Sequence, residues 1–292
     1  MLYKQIVLSF LTVFVLFSAQ GASIDKAFKA LQQFNYFEAK KLFEKSAKSQ
    51  PSAASYGLAV IYSRTDNPFH QLDSAFVFIN RSEASYSGMK EKQKVAMKKY
   101  NFDYLQIVAL RNEISKAFFD LELKRLDELS LDAYQKKHPW AIEKERAITL
   151  RDSLGFEKAK TANTANAYNE FLSKYPASTW SNQAKAEFYR LQYREQTTAN
   201  TLVSYMNFEK GFPTNPYVTD AQDQIYRIST VKNTVADLAA FIKTFPSNRN
   251  VSNAWRKLYQ LYMADYSSER LKKFQNDYPE KPLMQEWKPD QA

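Results

Sequence analysis

Tyr168-Asn169-Glu170-Phe171-Leu172-Ser173-Lys174-Tyr175-Pro176 is the stretch on which the fold turns, because its pattern comes back along the chain. An aromatic five residues before a proline, with a second aromatic or His just before that proline, recurs as Tyr134/His138-Pro139, Phe171/Tyr175-Pro176, Phe208/Phe212-Pro213, Phe241/Phe245-Pro246 and Phe274/Tyr278-Pro279. The prolines are spaced 37, 37, 33 and 33 residues apart. A fixed period in that range marks an array of supersecondary units, each of which buries its apolar face only by stacking on its neighbours.

Counting outward from each proline deepens the pattern. Eight residues before it stand Leu131, Tyr168, Tyr205, Leu238 and Leu271, three residues from the aromatics, so each unit ends in a short helix with an apolar stripe that the proline stops. Eight residues after it stand Ala147, Ala184, Ala221 and Ala254; Phe188, Ile225 and Leu258 follow at twelve, and Leu154, Leu191, Ile228 and Leu261 at fifteen. These offsets trace one helical face, with a small residue where two helices approach closely. Each unit reads as a helix, a turn, an aromatic-rich second helix and a proline-marked turn. With five glycines in 292 residues and no strand-like alternation, the expected fold is all-α: about seven antiparallel helix pairs with helix above ~65%.

The first unit carries a resemblance. In Gln33 to Pro51, the spacing of Tyr36, Ala39, Phe43 and Pro51 resembles the second helix of a tetratricopeptide repeat, and Leu58, Ala59 and Tyr62 in the next helix match that family's Leu, small-residue and Tyr positions. Phe34 stands where the family has its turn glycine. The resemblance spans roughly 24–280 and implies a right-handed superhelical solenoid. A looser similarity, carried by Asn67-Pro68-Phe69, Leu72 to Ala75, Thr164 to Pro176 and Ala254 to Ser267, is to the helical-repeat regions of exported proteins in Bacteroidetes-type envelopes. The expected organisation is a leader over 1–21, N-terminal repeats over 22–87, longer irregular helical repeats over 88–162, with Leu105, Val108, Ile114 and Phe118 as core, and C-terminal repeats over 163–292.

The leader reading rests on Lys4, the apolar run from Ile6 to Phe17 and the small residues Ala19 and Gly21, the parts of a secretory signal peptide cleaved after Gly21. No cysteine occurs, which removes disulfides, thiol chemistry, Cys-ligated metals and the lipid-attachment cysteine of a lipoprotein. The expected location is a periplasm or the outside of the cell. The net charge of +10 would suit nucleic acid, but export excludes that partner and points to other envelope proteins or peptides, with an anionic surface or glycan as the alternative. The densest basic run, Lys90, Lys92, Lys94, Lys98 and Lys99, reads as a solvated helix face.

No His-Glu cluster, phosphate loop or nucleophile elbow is present, so no cofactor, metal site or enzymatic activity is expected. His138 fills a repeat slot held elsewhere by Tyr or Phe, and His70 lies in the enlarged turn 63–72. The candidate partner-binding residues lie one step around the first helix of each late unit, at offsets 9 and 13: Lys185 and Tyr189, Gln222 and Tyr226, Trp255 and Tyr259. In tetratricopeptide repeats the corresponding flank tends to line the binding groove. The competing reading is that these tyrosines complete the packing of each hairpin.

Overall fold

The structure is a computed structural model that describes residues 23–281; the expected leader over 1–21 lies outside them. The described residues are 73% helical. Fifteen helices and no strand occur among the described residues. They are α1 (23–32), α2 (Tyr36–Ser46), α3 (Pro51–Ser63), α4 (Leu72–Tyr86), α5 (Glu91–Met97), α6 (Tyr104–Arg125), α7 (Glu128–Lys137), α8 (Lys144–Ala162), α9 (Ala165–Lys174), α10 (Ser181–Gln196), α11 (Leu202–Gly211), α12 (Val218–Ser229), α13 (Val235–Thr244), α14 (Val251–Tyr262) and α15 (Ser268–Asp277). Seven helix–turn–helix units result among the described residues, with α5 and a short 3-10 turn inserted before α6. No described helix is long and apolar enough to cross a membrane.

Three local devices recur along the chain. In five of the seven units the turn between the two helices pairs a left-handed residue with an N-cap. Phe34, Leu126, Asn163, Asn200 and Asn233 have φ between 47° and 59°, and the next residue, Asn35, Asp127, Thr164, Thr201 or Thr234, accepts a backbone N–H of the second helix. Asn tolerates that φ, and the N-cap satisfies an amide that would otherwise lack a partner. At the far end the second helix closes on the residue before the proline: the N–H groups of His138, Tyr175, Phe212, Phe245 and Tyr278 donate to Tyr134, Phe171, Phe208, Phe241 and Phe274. A residue preceding proline is held out of the helical region, so the helix stops there.

The third device joins the two helices. Aromatic rings 15 residues apart meet across the hairpin in six units: Phe28 on Phe43, Phe119 on Tyr134, Phe156 on Phe171, Tyr193 on Phe208, Tyr226 on Phe241 and Tyr259 on Phe274, with centroids 5.0 to 5.6 Å apart. Five of the six meet edge-on, Phe119 and Tyr134 at a tilt of 47°, and edge-on ring pairs add about 0.5–1.5 kcal/mol to the area they bury. The recurrent aromatics of the second helices are enclosed, as their spacing predicts: Phe171, Phe208, Phe241 and Phe274 are 4%, 1%, 1% and 1% exposed. Ala147, Ala184, Ala221 and Ala254 are fully buried.

The chain divides into two compact units, one reaching Leu154 and one starting at Gly155, a boundary inside α8. In the first, α3 packs on α2 and α4, and α4 and α7 pack on α6. In the second, α9 packs on α10, α11 on α12 and α13 on α14. One core expectation is corrected in α6. Leu105 is 74% exposed and Val108 half-buried, whereas Phe102, Ile107, Leu110, Ile114 and Phe119 are buried. Asp103 caps this helix by accepting the N–H of Gln106, which leaves Leu105 on the outer side of its first turn.

Candidate interaction surface

The first helices of the late units do not share one length. α10 has 16 residues where α12 and α14 have 12, and four residues are about one turn. Counted from the proline before them, Tyr189, Tyr226 and Tyr259 are equivalent. Counted from the ring each touches, the equivalent set is Tyr193, Tyr226 and Tyr259, packed edge-on against Phe208, Phe241 and Phe274. The extra turn of α10 therefore shifts the Lys185/Tyr189 pair one turn away from its expected counterparts.

Buried asparagines confirm this register. Asn215 donates from Nδ2 to the Tyr189 carbonyl (3.2 Å) and to Gln192 Oε1 (3.0 Å), and Asn248 makes the same bond to the Gln222 carbonyl (3.0 Å). Each also accepts, from the N–H of Tyr217 and of Asn250, and so ties its proline turn to the first helix of the preceding unit. Tyr189 thus corresponds to Gln222 and Tyr193 to Tyr226.

The six sequence-predicted residues have different surroundings. Lys185 is exposed, its Nζ 5.9 Å from the half-buried Tyr189 ring. Gln222 is half-buried and donates to Glu209 (2.6 Å). Tyr226 and Tyr259 spend a ring face on packing within their hairpins and are half-buried. Trp255 is 4% exposed; it packs edge-on against Tyr278 and lines a cleft of about 440 Å³ together with Ile242, Lys243, Val251 and Asp277. The exposed residues of α10, α12 and α14 include five cations, Lys185, Arg194, Arg227, Arg256 and Lys257.

The member the sequence reading missed, Tyr193, is the most constrained. Its ring stacks on Tyr217 (5.2 Å, 13°) and its hydroxyl donates to the Asp220 carboxylate. Burial and that hydrogen bond raise its pKa. Tyr262, bonded to Asp277 (2.6 Å), is pushed up to about 12, with that hydrogen bond the main cause. The 33-residue spacing of Tyr193, Tyr226 and Tyr259 was the available signal.

In the first unit, His138 is 1% exposed and sits among Phe76, Phe118, Tyr134 and Trp140, with ring centroids 4.6 to 5.8 Å away. Burial, with Lys137 beside it, brings its pKa down to about 4, so the imidazole is neutral at physiological pH. His138 lines a cleft of about 380 Å³ between α4, α6 and α7, which Lys137 spans to reach Asp73 (2.9 Å). His70 is exposed. Of the basic run, Lys90, Lys92, Lys98 and Lys99 are exposed, and Lys94 packs over Tyr86 while pairing with Glu91 (2.7 Å). No cluster of three metal-ligating side chains occurs among the described residues.

Comparison of the chain with protein-family models, with curated proteins and with solved structures returns no match.

Proposed function

We propose that this protein is a non-catalytic, exported helical-repeat adaptor that binds other proteins or peptides of a bacterial cell envelope, built as a right-handed tetratricopeptide-like array. The observation that carries this reading is the division of labour on α10, α12 and α14. Tyr193, Tyr226 and Tyr259 are committed to the hairpins, and among the exposed residues of these helices five cations, Lys185, Arg194, Arg227, Arg256 and Lys257, stand against one carboxylate, Glu195. A rigid backbone with a cationic outer face suits an extended acidic segment of a partner, since charge complementarity steers encounter and selects among partners. The partner-binding role of the six residues is accordingly weighted toward Lys185 and its cationic neighbours. The apolar run and small residues of 1–21 support the export in this reading, to a periplasm or the outside of the cell.

The test is a cross-linking pull-down from the native envelope, comparing the parent chain with a Lys185→Glu, Arg227→Glu, Arg256→Glu variant. Partners lost by the variant at unchanged helix content would support the reading. An identical partner set, or none for the parent, would defeat it. Glycan binding is the second reading. Trp180 stacks on Phe156 (5.0 Å), Trp140 lies under Arg111 (4.0 Å) and Trp255 is enclosed, so these three rings have faces already committed to packing. A tryptophan emission shift on adding glycans would reinstate it.

A further inference from the structure

The α6–α7 hairpin departs from the repeat at two positions, and both line one cleft. The residue before the turn proline is Tyr175, Phe212, Phe245 or Tyr278 in four other hairpins and His138 in this one. Three residues after the first-helix ring that meets its partner across the hairpin, the other five stand at Leu31, Ala159, Gln196, Ser229 and Tyr262, where α6 has Glu122. His138 and Glu122 share the cleft of about 380 Å³ between α4, α6 and α7. Stacking of the repeats requires neither an imidazole nor a carboxylate there, since uncharged side chains fill both positions elsewhere.

Each of the two carries a buried polar atom that no described residue satisfies. His138 is 1% exposed, and its Nδ1 has no hydrogen-bond partner among the described residues. The Glu122 side chain is 13% exposed; Oε1 lies 3.6 Å from Arg125, whereas Oε2 is buried and equally without a partner. Buried polar atoms are as a rule hydrogen-bonded, so two unsatisfied ones on residues of one cleft point to a polar molecule that completes them. The rest of the wall selects its chemistry. Leu72, Phe118, Leu121 and Ala133 make an apolar lining, to which the rings of Tyr134 and His138 add flat surfaces. The charges around it cancel, Lys137 against Asp73 at 2.9 Å and Arg125 against Glu122, so a charged ligand would meet no uncompensated partner. An ionised carboxylate only accepts, and an imidazole nitrogen either accepts or donates; a hydroxyl group serves both.

We propose that this cleft binds a small, uncharged aromatic alcohol, whose hydroxyl groups meet Glu122 Oε2 and His138 Nδ1 while its ring lies on the apolar lining. The inference does not depend on which partner the first helices of the second unit take.

The chain has two histidines, and His70 is exposed, so ring signals from the histidine-labelled full chain report on the cleft against an internal control. The probe is 4-hydroxyphenethyl alcohol. Tyramine and 4-hydroxyphenylacetate replace its alcohol end by an ammonium or a carboxylate, and toluene lacks hydroxyls altogether. The alcohol is expected to shift the His138 resonances saturably, leave those of His70 in place and bind at least about tenfold more tightly than the other three. Glu122→Leu installs the residue of the α1–α2 hairpin; at unchanged helix content it should weaken the alcohol by about tenfold and leave toluene unaffected. No saturable shift of His138 by the alcohol up to about 10 mM would overturn the proposal and leave the two atoms to solvent. Toluene binding as tightly as the alcohol, or either charged analogue binding more tightly, would overturn it as well, and these comparisons need no variant. An alcohol affinity unchanged in a folded Glu122→Leu chain would count equally against it.

Discussion

Gly57 of α3 lies against the ring of Phe43 of α2 so closely that a β-carbon built on it would stand 2.1 Å from Phe43 Cζ. Phe43 is fully buried and braced edge-on by Phe28, so its ring cannot withdraw. Glycine normally weakens a helix interior by about 1 kcal/mol relative to alanine. Here the close approach outweighs propensity. Gly57→Ala is expected to destabilise the first unit by about 1–3 kcal/mol, read from the denaturant midpoint. A rise in midpoint would show that propensity wins.

The register built on ring contacts separates tyrosines that proline counting treats alike. Tyr193→Ser, Tyr226→Ser and Tyr259→Ser each remove a ring packed on a buried Phe and should cost about 2–4 kcal/mol, whereas Lys185→Ser at an exposed site should stay within about 0.5 kcal/mol. Phe208→Ala should cost about 3–5 kcal/mol. Because repeats couple mainly to their neighbours, its unfolding curve is expected to broaden as well as shift. An unperturbed Tyr193→Ser variant would return the register to Tyr189.

His138 makes stability depend on pH in a defined direction. Its folded pKa, about 4, lies below the ordinary histidine value of 6.5, so the unfolded chain takes up a proton first as pH falls. The stabilisation is complete above pH 6.5 and is lost progressively as pH drops to 4, by about 3 kcal/mol in all. The aromatic rings and Lys137 that face it supply no acceptor for the proton. His138→Phe, the residue this slot holds in two other units, should flatten the curve over that window relative to the parent. Parallel curves would assign the acid sensitivity elsewhere.

Removing the hydroxyl in Thr234→Val leaves the Asp237 N–H at the start of α13 without its cap. A loss of about 1 kcal/mol is expected in thermal unfolding, and Thr234→Ser should restore most of it. If the valine variant melts like the parent, the cap contributes nothing.

Much of the fold was legible because a helix-pair array writes itself into sequence with a period. The prolines mark where each second helix must end, the aromatics five residues earlier are the side chains its face must bury, and the alanines mark close approach. These are local constraints, and the helices and buried rings followed from them. The turn chemistry was equally present in Asn163-Thr164, Asn200-Thr201 and Asn233-Thr234, although its meaning emerges only when φ and the capping bonds are seen together. What tertiary structure alone decided was register and face. The extra turn in α10 shows as a proline spacing of 37 where the next two are 33, but it can be placed toward either proline, and only the contact of Tyr193 with Phe208 across the hairpin shows which tyrosine belongs to the set. Leu105 in α6 and Trp255 in α14 went the same way: hydrophobicity says that a side chain would gain from burial, but the angle at which a helix meets its neighbours determines which ones are covered.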